Sequence, residues 1–375
     1  WTLEEARAVL QPAELELAVI YWDIGELGDM HHNPAKNVLH RKYSYCVLAE
    51  DAGRKEEDVR QTLETAREKL LAARNQRKAP YIDRTLYTGW NAMAVTAFLE
   101  AARVLGLAEP REFALRTLSR LLAEAWDGSD SLFHVISYGE AGELAEILPE
   151  RIPGTLDDYA FTIHACVDAW ESSSDMRFYR AAIKLADAML HRFYDRTSGA
   201  FFDVSTGAVG ATALGALSTR RKPLQDSPTP AGNPTAAAAL LRLESLSGRK
   251  EYREAAEDTL ASFAAMASQL GLYAGSYALA LERLLLDPVQ ILMVGSGQEA
   301  GAMMDAALEG FAINKTVIQL DPERVRARDL PEQLAETVGT ASMPSGTAVW
   351  ALVCTGRTCL PPVFSAEELR ATLRN

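Results

Sequence analysis

The chain is poor in cysteine and in basic residues. Four cysteines in 375 residues are too few for a disulfide scaffold and favour a reducing, cytoplasmic setting. The 38 Lys and Arg residues are outnumbered by 51 Asp and Glu residues, which gives a formal net charge of −13. Because a phosphate backbone is bound by a basic surface, this charge argues against nucleic acid and anionic membranes as partners.

The chain also lacks a long uninterrupted hydrophobic run. Its most apolar stretch, LYAGSYALALERLLLDPVQILMVG, contains Glu282, Arg283 and Asp287, so no membrane span is expected. The sequence starts at Trp1 without a basic segment leading into an apolar one, which indicates a processed or partial chain. At 48% hydrophobic residues it is expected to bury a large globular core.

Three segments of the chain repeat one plan, in which two helices are joined by a short polar turn. The first helix of each pair is expected to begin at a capping residue: Asn91, Asp158 and Asn233. Each is expected to end fifteen positions later: Gly106, Ser173 and Gly248. The second helices are expected to begin near Phe113, Tyr179 and Tyr252. This repetition predicts tandem helical hairpins.

The polarity of the helices predicts their arrangement. The first helix of each pair is apolar around most of its circumference, as in PTAAAALL, and the second carries charge on one face. Inner and outer helices repeated about every seventy residues predict a mainly α fold, a partial (α/α)6 toroid spanning residues 1–287. Residues 288–375 contain the strand candidates VQILMVG, KTVIQLD and TAVWALVC and two helices, which predicts a small C-terminal α/β appendage.

Several motifs resemble a known family. LYTGWNAMAVTAF, TLDDYAFTIHA, FYDRTSGAFFD, KPLQDSPTPAGN and VCTGRTCLPPV resemble the thioredoxin-domain-containing proteins called spermatogenesis-associated in animals. The resemblance implies a six-hairpin barrel related to the N-acylglucosamine and cellobiose 2-epimerases and to six-hairpin glycosidases. That family also has a thioredoxin-like domain and opening barrel helices ahead of the region matched here. The implied partners are therefore a thioredoxin-like domain or the missing N-terminal half of the barrel.

The N-terminal ends of the inner helices are expected to form the mouth of the barrel. Helix dipoles there favour anionic or hydroxyl-rich ligands, and aromatic rings can cover sugar faces. The residues expected to bind a carbohydrate-like ligand are Trp90, Asn91, Arg151, Tyr159, Phe202, Asp226 and Asn233. The alternative is a purely structural role, in which Asn91 and Asn233 only cap helices and Asp226 only forms a turn.

The candidate catalytic residues are two adjacent carboxylates and two histidines. Asp157 and Asp158 form a pair whose pKa values a pocket would push apart, and Asp158 also has the capping alternative. His134 follows an aromatic turn expected at the mouth, and the resemblance implies His40. These residues predict a sugar epimerase or isomerase, or a glycosidase-like hydrolase. No cofactor is expected, and the pair His31 and His32 lacks metal-ligand spacing.

Two other functions remain open at this point. One is a non-catalytic module that works with a thioredoxin-like domain in redox quality control. In that context Cys354 and Cys359 are expected to be structural free thiols, with a regulatory disulfide as the alternative. The other is nucleotide binding at the Gly295 loop, because VGSGQEAG follows a strand and Asp321 ends the next strand. A single βαβ unit weakens that second hypothesis.

Overall fold

The computed structural model describes residues 1–139, 151–205, 219–320, 330–340, 349–356 and 358–374. Contacts divide the chain into two compact units, Trp1–Asp83 and Arg84–Asn375. The expected division between residues 287 and 288 lies inside the second unit and stays a prediction.

The first unit contains four helices: α1 (Leu3–Val9), α2 (Pro12–Tyr21), α3 (Tyr45–Ala52) and α4 (Glu56–Asn75). Helix α4 buries Val59, Leu63, Ala66 and Leu70, which recur at intervals of three or four residues and therefore form one face. That face packs against α2 and α3.

The second unit begins with helical hairpins. The inner helices are α5 (Thr88–Leu105), α7 (Leu156–Ser173), α9 (Gly232–Ser247) and α11 (Gly275–Leu285). The outer helices are α6 (Ala108–Ala125), α8 (Met176–Phe193) and α10 (Lys250–Leu270), and two short strands, β1 (Thr85–Tyr87) and β2 (Val135–Ser137), flank the first hairpin. Each inner helix packs against the next inner helix and, up to α9, against its own outer helix. The mainly α fold and the partial toroid are confirmed.

The burial of the second hairpin shows why its helices take these places. Helix α7 buries residues on nearly every side, including Trp170, which has no exposed surface. Helix α8 buries one face, and its Arg180 and Lys184 remain outside that face. A helix without a polar face is stable only when other helices surround it.

The predicted N-caps were wrong by two to four residues, because the observed N-caps are Tyr87, Thr155 and Ala231. Helices α5, α7 and α9 begin at Thr88, Leu156 and Gly232, so the predicted caps Asn91, Asp158 and Asn233 lie inside the first turn. In α7 the N-cap is Thr155, whose side chain forms a capping box with Asp158. The predicted C-caps Gly106 and Gly248 are confirmed, with φ values of 66° and 71°.

The C-terminal part of this unit is a small α/β layer. It contains β3 (Val289–Val294), α12 (Gln298–Leu308), β4 (Lys315–Leu320), α13 (Glu332–Thr340), β5 (Trp350–Thr355), β6 (Thr358–Cys359) and α14 (Ala366–Arg374). The strand order is β4-β3-β5-β6. Gln290 Nε2 donates to the Ser245 carbonyl at 2.7 Å, and Ser174 Oγ donates to the Gln319 carbonyl. The layer therefore lies against the C-terminal ends of α7 and α9.

The expectation of free thiols at Cys354 and Cys359 was wrong, because the two cysteines form a disulfide. Strands β5 and β6 are antiparallel, and their register places the two residues directly opposite each other, with Cα atoms 3.9 Å apart. Four intervening residues are enough to turn the chain back on itself, which the linear spacing did not reveal.

Two further findings concern the wider function classes. None of the helices in the described ranges has the length and apolarity needed to cross a bilayer. Among the described strands only β3 and β4 pair in parallel, whereas the nucleotide fingerprint normally belongs to a larger parallel sheet. Asp321, the expected ribose-binding acid, lies outside the described residues.

Candidate functional site

A two-stranded hairpin brings His134 to the start of the first inner helix. Strands β1 and β2 are antiparallel, with Tyr87 opposite Val135. The backbone N–H of Thr88 donates to the His134 carbonyl at 2.9 Å, and the Thr88 hydroxyl donates to the Phe133 carbonyl at 2.6 Å. Because Thr88 is the first residue of α5, these bonds fix His134 at the mouth of the inner helices.

Asp158 joins the starts of two neighbouring inner helices. Its side chain is only 2% exposed. Oδ1 accepts the Gly89 N–H of α5 at 2.9 Å, and Oδ2 accepts the Thr155 N–H at 2.8 Å and the Thr155 hydroxyl at 3.0 Å. Asp158 is therefore a cap, as the sequence suggested, but it caps α5 as well as its own helix.

Asp158 also orients His134. Its Oδ2 lies 2.8 Å from His134 Nδ1. Because an ionised carboxylate only accepts hydrogen bonds, Nδ1 carries the proton and Nε2 is the ring atom available for proton transfer. The hydrogen bond that His134 donates to Asp158 raises the pKa of His134, while burial acts in the opposite direction. The His134 side chain remains 35% exposed, so a ligand can reach it.

Asp157 has a different environment from its neighbour. Burial raises the pKa of Asp157 to about 6, and the charges of Asp158 and Asp203 act in the same direction. Among the described residues none forms a hydrogen bond with its carboxylate. A Cβ atom on Gly232 would lie 2.2 Å from Asp157 Oδ1, so only glycine lets α9 begin this close to the carboxylate. Asp157 is thus a half-buried acid held by packing.

An aromatic surface adjoins His134. The Trp90 side chain is 62% exposed, and its ring centroid lies 4.8 Å from that of Tyr87. The Tyr87 ring in turn meets His134 edge to face at 5.6 Å. An exposed ring beside an acid–base group provides an apolar face for a ligand that the acid or base contacts at its polar edge.

Three other predicted ligand-binding residues form hydrogen bonds that connect segments at the mouth. Asn91 Nδ2 donates to the Tyr87 carbonyl at 2.9 Å. Asp226 accepts the N–H groups of Ala231 and Ser276, each at 2.8 Å, and so joins the starts of α9 and α11. Asn233 has no exposed surface and bonds both the N–H and the carbonyl of Phe201, at 2.7 and 2.9 Å. The polar atoms of these three side chains are therefore bonded to backbone groups at the mouth.

Of the remaining predicted site residues, Tyr159 is enclosed, whereas Phe202 and Arg151 are each in contact with another side chain. Tyr159 is 1% exposed, and its hydroxyl donates to the Asp130 carbonyl at 2.6 Å and accepts the Leu132 N–H at 2.9 Å. The guanidinium of Arg220 covers the Phe202 ring at 3.9 Å. Arg151 is exposed and lies over the Phe133 ring at 4.7 Å.

His40 belongs to the first unit. It is exposed, and its Nδ1 lies 3.2 Å from the Val38 carbonyl oxygen. The resemblance alone implied its role, and the described contacts of His40 all involve its own unit.

A cavity of about 590 Å³ extends along the inner helices from near the mouth to the α/β layer. Its floor contains a cluster of ionisable residues that the sequence did not indicate as a site: His164, Asp168, Glu171, Arg242 and Arg283. The signal was present in HACVDAWE, where the three polar residues of α7 are spaced by four and three positions. That spacing puts them in one stripe on an otherwise apolar inner helix. In the described residues no cluster of three metal-ligating side chains occurs.

No protein-family model matches the chain. The chain is similar over its whole length to a curated human protein. This is spermatogenesis-associated protein 20 of Homo sapiens, with 25% identity over all of this chain and 49% of the human protein. The protein of the same name in Rattus norvegicus is 28% identical over 81% of this chain and 38% of its own length. The chain thus spans about half the length, or less, of these curated relatives.

Several solved structures that carry the names of carbohydrate enzymes are similar to part of this chain. One is the unsaturated glucuronyl hydrolase of Bacillus sp. GL1, with a TM-score of 0.41 and 17% identity, covering 64% of this chain and 72% of the hydrolase. Mannanases, cellobiose 2-epimerases and a D-mannose isomerase are also found.

Proposed function

We propose that the mouth of the inner helices binds a carbohydrate-like molecule and transfers a proton on it, as a sugar epimerase or isomerase does. The observation that supports this proposal most is the triplet of Asp158, His134 and Asp157 beside the exposed Trp90 ring. Asp158 is a positioning residue, because its oxygens are occupied by Gly89, Thr155 and His134. His134 and Asp157 are the groups left to meet a ligand.

The protonation states of the two groups assign their roles. The pKa of Asp157 is about 6, and that of His134 is raised above the ordinary value of 6.5. Between these values Asp157 is ionised and His134 is protonated, so Asp157 is the base and His134 is the acid. Each charge also favours the other, since His134 lowers the pKa of Asp157 and Asp157 raises that of His134.

The chemistry follows from these roles. The Asp157 carboxylate accepts the proton from a carbon next to a sugar carbonyl, and the C–H bonding pair becomes part of a carbon–carbon double bond. His134 Nε2–H donates its proton to the carbonyl oxygen, which gives an enediol. Return of a proton to either carbon regenerates a carbonyl sugar, as an isomer or an epimer.

A glycosidase-like reaction is less well supported by this geometry. Hydrolysis with two carboxyl groups needs both of them facing the scissile bond. Asp158 accepts three hydrogen bonds from Gly89 and Thr155 and one from His134, and it is almost fully buried. It therefore cannot serve as the second free acid without giving up the starts of α5 and α7.

The sequence similarity also supports a proposal about family and partners. We infer that the chain belongs with the spermatogenesis-associated proteins, on the basis of 25% identity along its whole length to the human protein. A thioredoxin-like partner, a contribution from the other half of the barrel and a cytoplasmic location remain predictions, as does the non-catalytic module in redox quality control.

The test is proton exchange with solvent. The protein is incubated with aldoses, ketoses and disaccharides in D₂O, and proton NMR follows loss of the C–H signal next to the carbonyl. His134→Gln should abolish exchange, because it removes the proton donor. His191→Gln is the matched control, since His191 is exposed on α8. Exchange that survives in His134→Gln, or that the unmodified protein does not catalyse with any of these sugars, would contradict the proposal.

A further inference from the structure

The floor of the cavity is built by the C-terminal halves of three inner helices. Asp168 lies on α7, Arg242 on α9 and Arg283 on α11. Arg283 donates to the Ile313 carbonyl, which belongs to the segment just before β4. This end of the cavity is opposite the mouth that contains His134 and Asp157.

Arg242 is fully engaged with its neighbours at the floor. One terminal nitrogen lies 2.6 Å from Asp168 Oδ1 and 2.9 Å from Glu171 Oε1, and the other lies 3.1 Å from His164 Nδ1. His164 Nε2 lies 3.1 Å from the Thr235 carbonyl, so Nε2 carries the proton and Nδ1 accepts from Arg242. Burial and the charge of Arg242 lower the pKa of His164 to about 4, so the ring is neutral. These contacts account for Arg242, Glu171 and His164.

In the described part of the chain, three polar groups at the same cavity lack a hydrogen-bond or ion-pair partner of the kind they usually have. Asp168 Oδ2 and Thr96 Oγ1 are buried and have no hydrogen-bond partner among the described residues. Arg283 has Ile313 as its acceptor, and within the described ranges no carboxylate lies at ion-pair distance from it. Burial lowers the pKa of Arg283 to about 10, and the positive charge of Arg242 acts in the same direction.

Unpartnered groups of this kind are costly unless something fills the site. A buried polar atom without a partner loses its hydration and gains nothing in return, and most such atoms in proteins are satisfied. Here an acceptor, a hydroxyl and a guanidinium line one cavity whose walls include Leu99 and Phe161. A cavity with apolar walls and a few convergent polar groups is the usual form of a small-molecule site.

We propose that the floor of this cavity is a second binding site, for a small hydroxylated molecule that carries an anionic group. Arg283 binds the anion, Asp168 Oδ2 accepts a hydroxyl proton, and Thr96 Oγ1 pairs with a further hydroxyl. The anion is a carboxylate or a phosphate, because a planar guanidinium binds either group through paired hydrogen bonds. This site is separate from the proton transfer proposed at the mouth and does not depend on it.

The experiment compares three matched probes by isothermal titration calorimetry. D-glucuronate carries a carboxylate, glucose 6-phosphate carries a phosphate, and D-glucose is the neutral reference. At least one of the two anionic probes should bind at least about tenfold more tightly than D-glucose, since charged hydrogen bonds are stronger than neutral ones. Which of the two binds identifies the anion. If neither exceeds D-glucose, the site is a structural ion cluster only and the proposal fails.

Two variants separate binding from folding. Arg283→Gln should weaken the preferred anionic probe about tenfold or more and leave D-glucose unchanged. Thr96→Val removes the unpartnered hydroxyl without opening a void and should weaken the probe about 3- to 10-fold with no loss of thermal stability. If Arg283→Gln does not fold, Thr96→Val decides the matter.

Two controls complete the design. Arg253→Gln changes an arginine of the outer helix α10 that pairs with Glu257, and it should leave binding unchanged. His134→Gln should lose the proton exchange of the mouth and keep the affinity for the anionic probe, so the two proposals can fail independently. An equal effect of Arg253→Gln and Arg283→Gln, or unchanged affinity in Thr96→Val, would overturn the inference.

Discussion

The two ends of the inner helices stabilise a buried carboxylate in different ways. At the mouth, Asp158 is held by the N–H groups of Gly89 and Thr155. At the floor, Asp168 is held by the guanidinium of Arg242. Helix N-termini present unpaired N–H groups and so accept carboxylates, whereas C-termini present only carbonyls, so an acid there requires a cation.

This difference also determines which groups remain for ligands. At the mouth the backbone satisfies Asp158, and an acid–base pair, His134 and Asp157, is left over. At the floor Arg242 is paired with acidic side chains, and Arg283 and one oxygen of Asp168 remain available to bind a ligand. We therefore expect proton transfer at one end and anion binding at the other.

The largest effect on stability is expected for Arg242→Met, which removes the ion pairs at the floor. Asp168 and Glu171, whose side chains are 18% and 11% exposed, would lose their cation in a largely dry site. The free energy of unfolding, measured by urea denaturation, should fall by about 3–5 kcal/mol. Arg253→Met, which breaks an exposed pair with Glu257, should cost less than about 1 kcal/mol. Equal losses in the two variants would show that the floor cluster is not a buried network.

The second largest effect on stability is expected for Asp158→Asn, which removes hydrogen bonds at the mouth. An amide cannot accept from Gly89, Thr155 and His134 together, so the free energy of unfolding should fall by about 2–3 kcal/mol. The pKa of His134, followed by NMR, should fall, because the hydrogen bond to Asp158 is its largest raising influence.

Asp157→Asn is the matched control for that experiment. The pKa of Asp157 is raised in the folded state from 3.8 to about 6, so its ionisation costs stability as pH rises through this interval. The substitution should therefore not destabilise the protein at pH 8 and should bring no gain at pH 4. A loss as large as that of Asp158→Asn would mean that the two aspartates do not differ as described.

A smaller effect is expected in the pH dependence of the proton exchange. The rate should fall about tenfold per pH unit below about pH 6, where Asp157 becomes protonated. It should fall again above the raised pKa of His134, where the imidazolium loses its proton. Because Asp158 raises that pKa, Asp158→Asn should shift the alkaline limb to lower pH. An alkaline limb that does not move would exclude His134 as the acid.

The smallest effect is expected for Trp90→Ala. The ring is 62% exposed, so its removal should leave thermal unfolding unchanged. Loss of a stacking surface worth about 0.5–1.5 kcal/mol should weaken sugar binding roughly 2- to 13-fold. Phe113→Ala, which removes a ring of 48% exposure on the outer helix α6, should not change sugar affinity. Equal weakening by both variants would indicate a nonspecific effect.

Particular residues show how far the sequence alone reached. It indicated Asp158 as a cap, but the Gly89 N–H that it caps lies 69 residues away and belongs to another helix. It offered Tyr159 and Asn233 as ligand-binding residues, because an aromatic or amide side chain at a helix start looks the same whether it faces a cavity or a loop. It passed over Arg242, because one arginine in an apolar helix shows its partners only when the helices are packed.

The hairpin repeat, the apolar inner helices and the Gly106 and Gly248 helix ends follow from the sequence, because periodicity and local backbone preference act within a few residues of one another. The division of labour between Asp157 and Asp158 was decided by tertiary structure. Both are aspartates in one turn, and only the position of α5 and His134 makes one of them a buried cap and leaves the other as a half-buried acid.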